Sequence, residues 1–367
     1  MSNRSALSFP AMRLLITGIC GFVGSSLANW FREQEPSCEI IGIENFVRPG
    51  SETNRTLLRS RGIRVQHGDV RNASDFENLP AVDWVIDAAA NPSALAGVDG
   101  HSSSRQVIEH NLYGTVNLLE YCKRVEAGLI LLSTSRVYSI PALTALPLTK
   151  GNAAFEWNEN AKPPVGASIN GLTTEFSTSP PISFYGSTKL ASETLALEYH
   201  HRFAFPVCIN RCGVIAGAGQ FGTAEQGIFS YWIHAYAQKQ PLKYIGFDGS
   251  GGQVRDALHP DDLAELVARQ IDSSHQSGAT IFNVGGGSVN AMSLAQLTSW
   301  CAKRFGKHSI ASDPAPRAFD VPWLVMDNRK TTSAFNWRPK RDLPSILDEI
   351  ASHAAQNPDW LDIASPT

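Results

Sequence analysis

The stretch Met12-Arg13-Leu14-Leu15-Ile16-Thr17-Gly18-Ile19-Cys20-Gly21-Phe22-Val23-Gly24 decides the fold. Met12 to Ile16 is an apolar run of strand length, the glycines at 18, 21 and 24 interrupt it, and Leu27, Trp30 and Phe31 resume at helical spacing. Strand, glycine turn and helix in this order set the free N–H groups of a helix start beside a gap without side chains, where a pyrophosphate can approach. Outward from this unit, short apolar runs recur at 39–44, 63–66, 83–87, 129–133, 207–210 and 281–284. Helical patterns run from about Ser104 to Val125, from near Ser183 through Tyr199, and from Asp261 to Gln270. Apolar strands alternating with helices predict an α/β fold, a doubly wound parallel sheet covered on both faces. After Arg211 the rhythm breaks up among glycines (217, 219, 222, 246, 249, 251, 252), which predicts a smaller carboxyl-terminal, substrate-binding lobe. The expected division is a flexible tail over 1–10, a dinucleotide-binding domain over 11–213 rejoined by about 256–285, and a lobe over 214–360.

The 367 residues carry 31 Lys+Arg against 34 Asp+Glu, a formal charge of −3, which gives no electrostatic bias towards nucleic acid. With 43% hydrophobic and 18% charged residues, the chain is suited to a large buried core. Six cysteines occur without any CxxC spacing, as expected of reduced thiols in a cytoplasmic protein. No run reaches the ~18 apolar residues of a membrane span, and Met1 to Ala11 lacks the apolar stretch of a signal peptide. His101, His110, His200 and His201 have no Cys or carboxylate at metal-ligand spacing, so no metal is expected. The 141–181 segment, rich in Pro and Asn, is the longest stretch without periodicity, and ordered loops of that length tend to carry function.

Glu44 ends the second strand 20 residues after Gly24, where an acidic side chain accepts hydrogen bonds from an adenosine ribose. This favours NAD over NADP, although Arg48 stands close by. Asp69-Val70, after the third strand, either meets the adenine edge or caps a helix. Tyr185-Gly186-Ser187-Thr188-Lys189 puts a phenol and an ammonium four residues apart on one helix face. A cation there is expected to lower the phenol pKa from its usual value near 10, making Tyr185 an acid or base. Thr134 follows the fifth strand at the carboxyl edge of the sheet and either shares the proton with Tyr185 or caps a turn. Tyr231, Trp232 and His234 are either pocket lining or core.

With these residues assembled, the chain resembles the extended short-chain dehydrogenase/reductase family, the Rossmann-fold nucleotide-sugar epimerases and dehydratases, from about Arg13 to Pro339. Shared marks are the GxxGxxG turn, Ala88-Ala89-Ala90, Asn111-Leu112-Tyr113-Gly114-Thr115, the Thr134/Tyr185/Lys189 set and Val254-Arg255-Asp256. Within the family the likeness is to the branch acting at C2 of CDP-sugars of the paratose/tyvelose type. It rests on Gly219-Gln220-Phe221-Gly222, Glu225-Gln226-Gly227, Gly252 to Asp256, and the long step of 47 positions from Tyr138 to Tyr185. Ser135-Arg136 replaces the Asp-Glu pair with which a 4,6-dehydratase expels water, which disfavours dehydration. Asp87 stands where the family carries His, and Asn91 where this branch tends to have Gln.

The resemblance implies NAD as cofactor, held by Gly18, Cys20, Gly21, Phe22, Val23, Glu44, Asn45, Arg48, Asp69, Val70, Ala88, Ala89, Ala90, Asn111, Ser133, Tyr185, Lys189 and Arg211. It implies a nucleotide-sugar substrate held by Asn91, Ser135, Arg136, Gln220, Gln226, Gly227, Arg255 and Asp327. Arg255 would bind the diphosphate and Asp327 the nucleotide ribose. A homodimer or homotetramer is expected. Alternatives are a UDP- or other NDP-sugar 4-epimerase, a net NAD(P)H-dependent sugar reductase, and a catalytically silent nucleotide-binding member.

Overall fold

The computed structural model describes residues 12–98, 100, 103–273 and 280–365. The expected tail over 1–10 lies outside them. Seven parallel strands form the central sheet: β1 (Arg13–Thr17), β2 (Glu39–Glu44), β3 (Arg64–His67), β4 (Trp84–Asp87), β5 (Gly128–Thr134), β6 (Val207–Cys212) and β7 (Thr280–Val284), in the order β7-β6-β5-β4-β1-β2-β3. The order reverses between β1 and β4, and a crevice at the carboxyl ends of the strands opens at such a reversal.

Period-two alternation within each strand explains why both sheet faces are buried. Leu14, Ile16 and Ile130 pack on one face with Leu27 and Phe31 of α1 (Phe22–Gln34). Leu15, Leu129 and Leu131 pack on the other with Leu118 and Leu119 of α2 (Gly114–Val125) and Ala196 of α3 (Ser183–Phe203). The helix expected over 104–125 is interrupted by a π-helical turn, Glu109–Tyr113. Asn111 sits in that turn with its amide bonded across to the loop after β4 and to Thr188 of α3. Such tertiary bonds stabilise a local widening that helical periodicity does not announce.

The lobe is built around α4 (Ile228–Ala237), α5 (Leu294–Phe305) and α6 (Leu343–Gln356), whose apolar faces share one core with Leu361 of a short last helix, α7 (Trp360–Ala364). Its small sheet pairs the strand Val254–Leu258 with Val214–Ile215, Ala291–Ser293 and Trp323–Leu324. The long 141–181 segment packs here too: Leu143, Ala167, Leu172 and Phe176 share a core with Val254, Trp323 and Leu324. All six cysteines are buried and free. No helix among the described residues is long and apolar enough to cross a membrane.

Candidate active site

A cavity of about 720 Å³ runs from the glycine turn, past the ends of β4 and β5, to the lobe. At its first end, Gly18 adopts φ +60°, a backbone that favours glycine, and a Cβ on Gly24 would stand 2.3 Å from the Gly18 carbonyl oxygen. The first turn of α1 therefore closes tightly on β1, and no side chain caps its free N–H groups. Gly18, Gly21, Phe22 and Val23 line the cavity, as do Glu44, Asn45, Arg48, Val70, Ala88, Ala89, Ala90 and Asn91. The Glu44 carboxylate accepts from the amides of Cys20, Asn45 and Phe46, which fixes it at the cavity wall. Arg48 donates to the carbonyl of Phe221, joining the segment after β2 to the lobe.

Further along stand Ser133, Thr134, Ser135 and Arg136 from the end of β5, with Tyr185 and Lys189 from α3. Burial pushes the Tyr185 phenol up to about 12, against the hydrogen-bonding influence of Thr134 and the positive charge of Arg136. This corrects the expectation that Lys189 acidifies the phenol. The charge of Lys189 acts on the Cys212 thiol, and desolvation dominates at Tyr185. Lys189 is 2% exposed, yet its ammonium has no hydrogen-bond or ion-pair partner among the described residues. With no protein acceptor, the ammonium on the cavity wall is free to donate to a ligand.

On the lobe side, Gln220, Gln226, Gly227 and Arg255 line the cavity together with Arg317, Phe319 and Asp320. Arg255 donates to the carbonyls of Val254 (2.8 Å) and Val321 (3.0 Å), and its nearest carboxylate is Asp320 at 3.5 Å. Burial, with the charges of Arg136 and Arg317, pulls its guanidinium down to about 10. Arg136 donates to the carbonyl of Phe319 (3.2 Å). Three guanidinium groups stand against the carboxylates of Asp320 and the buried Asp256, a surplus of positive charge suited to a polyanionic ligand. Arg317 and Asp320 escaped the sequence reading because their segment is aperiodic. The charged pair in Arg317-Ala318-Phe319-Asp320 was the available signal.

Five expected contacts lie elsewhere. Cys20 is outside the cavity lining, its N–H taken by Glu44 and its carbonyl by Asn54. Asp69 neither faces the cavity nor caps a helix; it is bound bidentately by Arg71, which holds its carboxyl well below the usual range against the opposing effect of burial. Asn111 acts from behind the wall, tying the Asn91 backbone to α3. Arg211 is buried in an ion pair with Glu193 (2.7 Å) and faces the Tyr138 ring. Asp327 is taken by Arg329 at 2.6 Å. Of the lobe aromatics left open above, Tyr231 and Trp232 line the cavity, whereas His234 is buried against His353 at 3.0 Å.

The geometry fits NAD at two points. The glycine turn leaves a cradle that a Cβ would fill, and Lys189 offers an unsatisfied donor deeper in the same cavity. The model of the NAD dependent epimerase/dehydratase family matches residues 14–285. The chain is similar to the CDP-paratose 2-epimerase of Salmonella typhi, 29% identical over 90% of this chain and 95% of that one. It is also similar to a UDP-glucuronate 4-epimerase of Thermodesulfobacterium geofontis, 25% identical over 94% and 96%. Among solved structures, a double mutant of the dTDP-glucose 4,6-dehydratase from Streptomyces venezuelae with NAD bound shares the fold, with a TM-score of 0.77 at 23% identity over 96% of this chain and 100% of that one. Cavity, glycine turn and family match agree, and the chain belongs to the NAD dependent epimerase/dehydratase family, with NAD as its cofactor.

Proposed function

We propose that this enzyme epimerises a nucleotide-diphosphate sugar at C2 of a CDP-sugar, of the CDP-paratose/CDP-tyvelose type. The observation that carries the reading is the common wall on which Thr134, Tyr185 and the unpaired Lys189 stand beside the cluster of Arg136, Arg255 and Arg317. Similarity to a CDP-paratose 2-epimerase along nearly its whole length supports the choice of sugar carbon and base. Ser135-Arg136 after Thr134 offers no acid pair for expelling water.

Gly18, Gly21, Phe22, Val23 and Glu44 would hold the adenosine diphosphate half of the cofactor, and Lys189 would hold the half nearest the sugar. When bound, NAD supplies reversible oxidation of one sugar carbon. Arg255 and Arg317 neutralise the substrate diphosphate and so fix the ring relative to Tyr185. The Tyr185 oxygen takes the hydroxyl proton of the reacting carbon and returns it after the sugar has turned over, with Thr134 sharing that proton. Because burial works against tyrosinate, the Thr134 hydroxyl and, after it, the charge of Arg136 are what favour deprotonation within the described cavity.

Incubation with CDP-, UDP- and GDP-sugars deuterated at C2 or C4 tests this. The expected result is inversion at C2 of a CDP-sugar with the label kept on the same carbon. Inversion at C4, or loss of the label to added cofactor, favours the 4-epimerase or the reductase instead. Tyr185→Phe is expected to retain NAD while losing turnover, and an unchanged rate would discard the mechanism. We also propose a homodimer in the cytoplasm: α3 exposes Phe184 at one end and Phe203 at the other, Tyr113 stands exposed just before the neighbouring α2, and size-exclusion chromatography with light scattering reads the state.

A further inference from the structure

The last described helix reaches the nucleotide end of the cavity without lining it. Trp360 of α7 stacks on Phe221 with ring centroids 5.2 Å apart and planes 16° from parallel. Its indole N–H donates to the Gln220 carbonyl at 2.9 Å, and the His353 ring packs edge-on against it at 4.6 Å. Gln220 and Phe221 are cavity-wall residues. The Phe221 carbonyl accepts from Arg48, and the Phe221 ring lies over Gly50, where a Cβ would come within 2.7 Å of it. Phe22, at the start of α1 beside the glycine turn, packs on the same cluster of Phe221, Trp360 and Ala364. One aromatic stack therefore joins three separate walls: the glycine turn, the segment after β2 and the lobe loop.

We propose that Trp360 is a positioning residue that latches the dinucleotide into the cavity. By stacking on Phe221 and bonding the Gln220 carbonyl, it holds the lobe loop down on Arg48 and Phe22. A bound dinucleotide then leaves only after the stack is unseated. The inference rests on the reading of this cavity as the NAD site and adds a reason for retention. An enzyme that gives back to the sugar what it removed gains from a cofactor that outlasts the turnover.

The test is release of NADH from the loaded full-length protein, followed by fluorescence after a chase of excess NAD and without any sugar. Trp360→Ala is expected to speed release by ten- to a hundredfold, as loss of a stacked ring and a hydrogen bond would. Association should speed as well, because the same unseating admits the dinucleotide, and kcat at saturating NAD should match the parent. Trp360→Phe keeps the ring and loses the donor, so its release should be intermediate; it decides the matter if the alanine variant does not fold. Release within twofold of the parent in the folded variants overturns the latch. Faster release from a protein that epimerises no NDP-sugar would keep the latch and discard the epimerase reading. Unaltered release from an active epimerase would do the reverse.

Discussion

Glu193 lies two helical turns beyond Tyr185 and one beyond Lys189 on the same face of α3, and its carboxylate anchors that face to the sheet. It is bound by Arg211 of β6 through Nη2 (2.7 Å) and Nε (3.0 Å), and by the hydroxyl of Ser133, the neighbour of Thr134 in β5. The two side chains of the ion pair are 5% and 1% exposed. Glu193→Gln keeps the shape and removes the charge, leaving the Arg211 guanidinium buried against Tyr138 with no carboxylate. Breaking such a pair on one side costs about 3–5 kcal/mol. With an unfolding entropy of about 0.8 kcal/mol per kelvin for a chain of this length, the midpoint should fall by about 4–6 °C. The Ser133 hydroxyl can still donate to the amide oxygen, so the loss reads the stranded Arg211 charge. Replacing both partners, Glu193→Leu with Arg211→Met, removes the stranded charge and should cost less than Glu193→Gln alone. Differential scanning calorimetry and chemical denaturation read both variants. A loss below about 1 kcal/mol for Glu193→Gln, or a double variant at least as unstable as the single one, would refute the reasoning.

Two further outcomes concern charge. Tyr185 is raised by burial and lowered by Thr134 and by Arg136. Arg136→Met should therefore move the ascending limb of the kcat–pH profile to higher pH and reduce kcat near pH 7 by about tenfold, one pK unit of phenol acidity; an unmoved limb would remove Arg136 from the proton transfer. Asp256 is pushed up to about 6 by burial, against the N–H groups of Gly287 and Met326 that its carboxylate accepts. A folded-state value above the unfolded one means that the stability gained from its proton is fully present below about pH 4 and is lost as pH rises through about 6. Against Asp256→Asn, the parent should lose roughly 3 kcal/mol between those limits in urea titrations, and a pH-independent difference would contradict this.

Much of the fold was legible in the sequence because its signals are local. An apolar run, three glycines at fixed spacing and a helical pattern need no knowledge of distant residues, and β1, the turn and α1 formed where that reading placed them. The same holds for the strands through β7, whose parallel order follows from alternation with helices. The π-helical turn at 109–113 was not legible, since it depends on Asn111 reaching the loop after β4 and α3.

In the candidate site the division falls in the same way. Spacing put Thr134, Tyr185 and Lys189 on one wall, because an interval of four residues on a helix and the end of a strand are local facts. What each side chain is free to do was settled only by competition among residues far apart in the chain. Arg211 is taken by Glu193, Cys20 gives its N–H to Glu44, and Asp327 is held by its neighbour Arg329. Arg317 and Asp320 come to face Arg136 and Arg255 through the packing of the lobe. The acidity of Tyr185 likewise follows from burial, a property of the whole packed molecule, so the sequence alone determined which groups are candidates for the chemistry and the tertiary structure decided which of them remain unpaired.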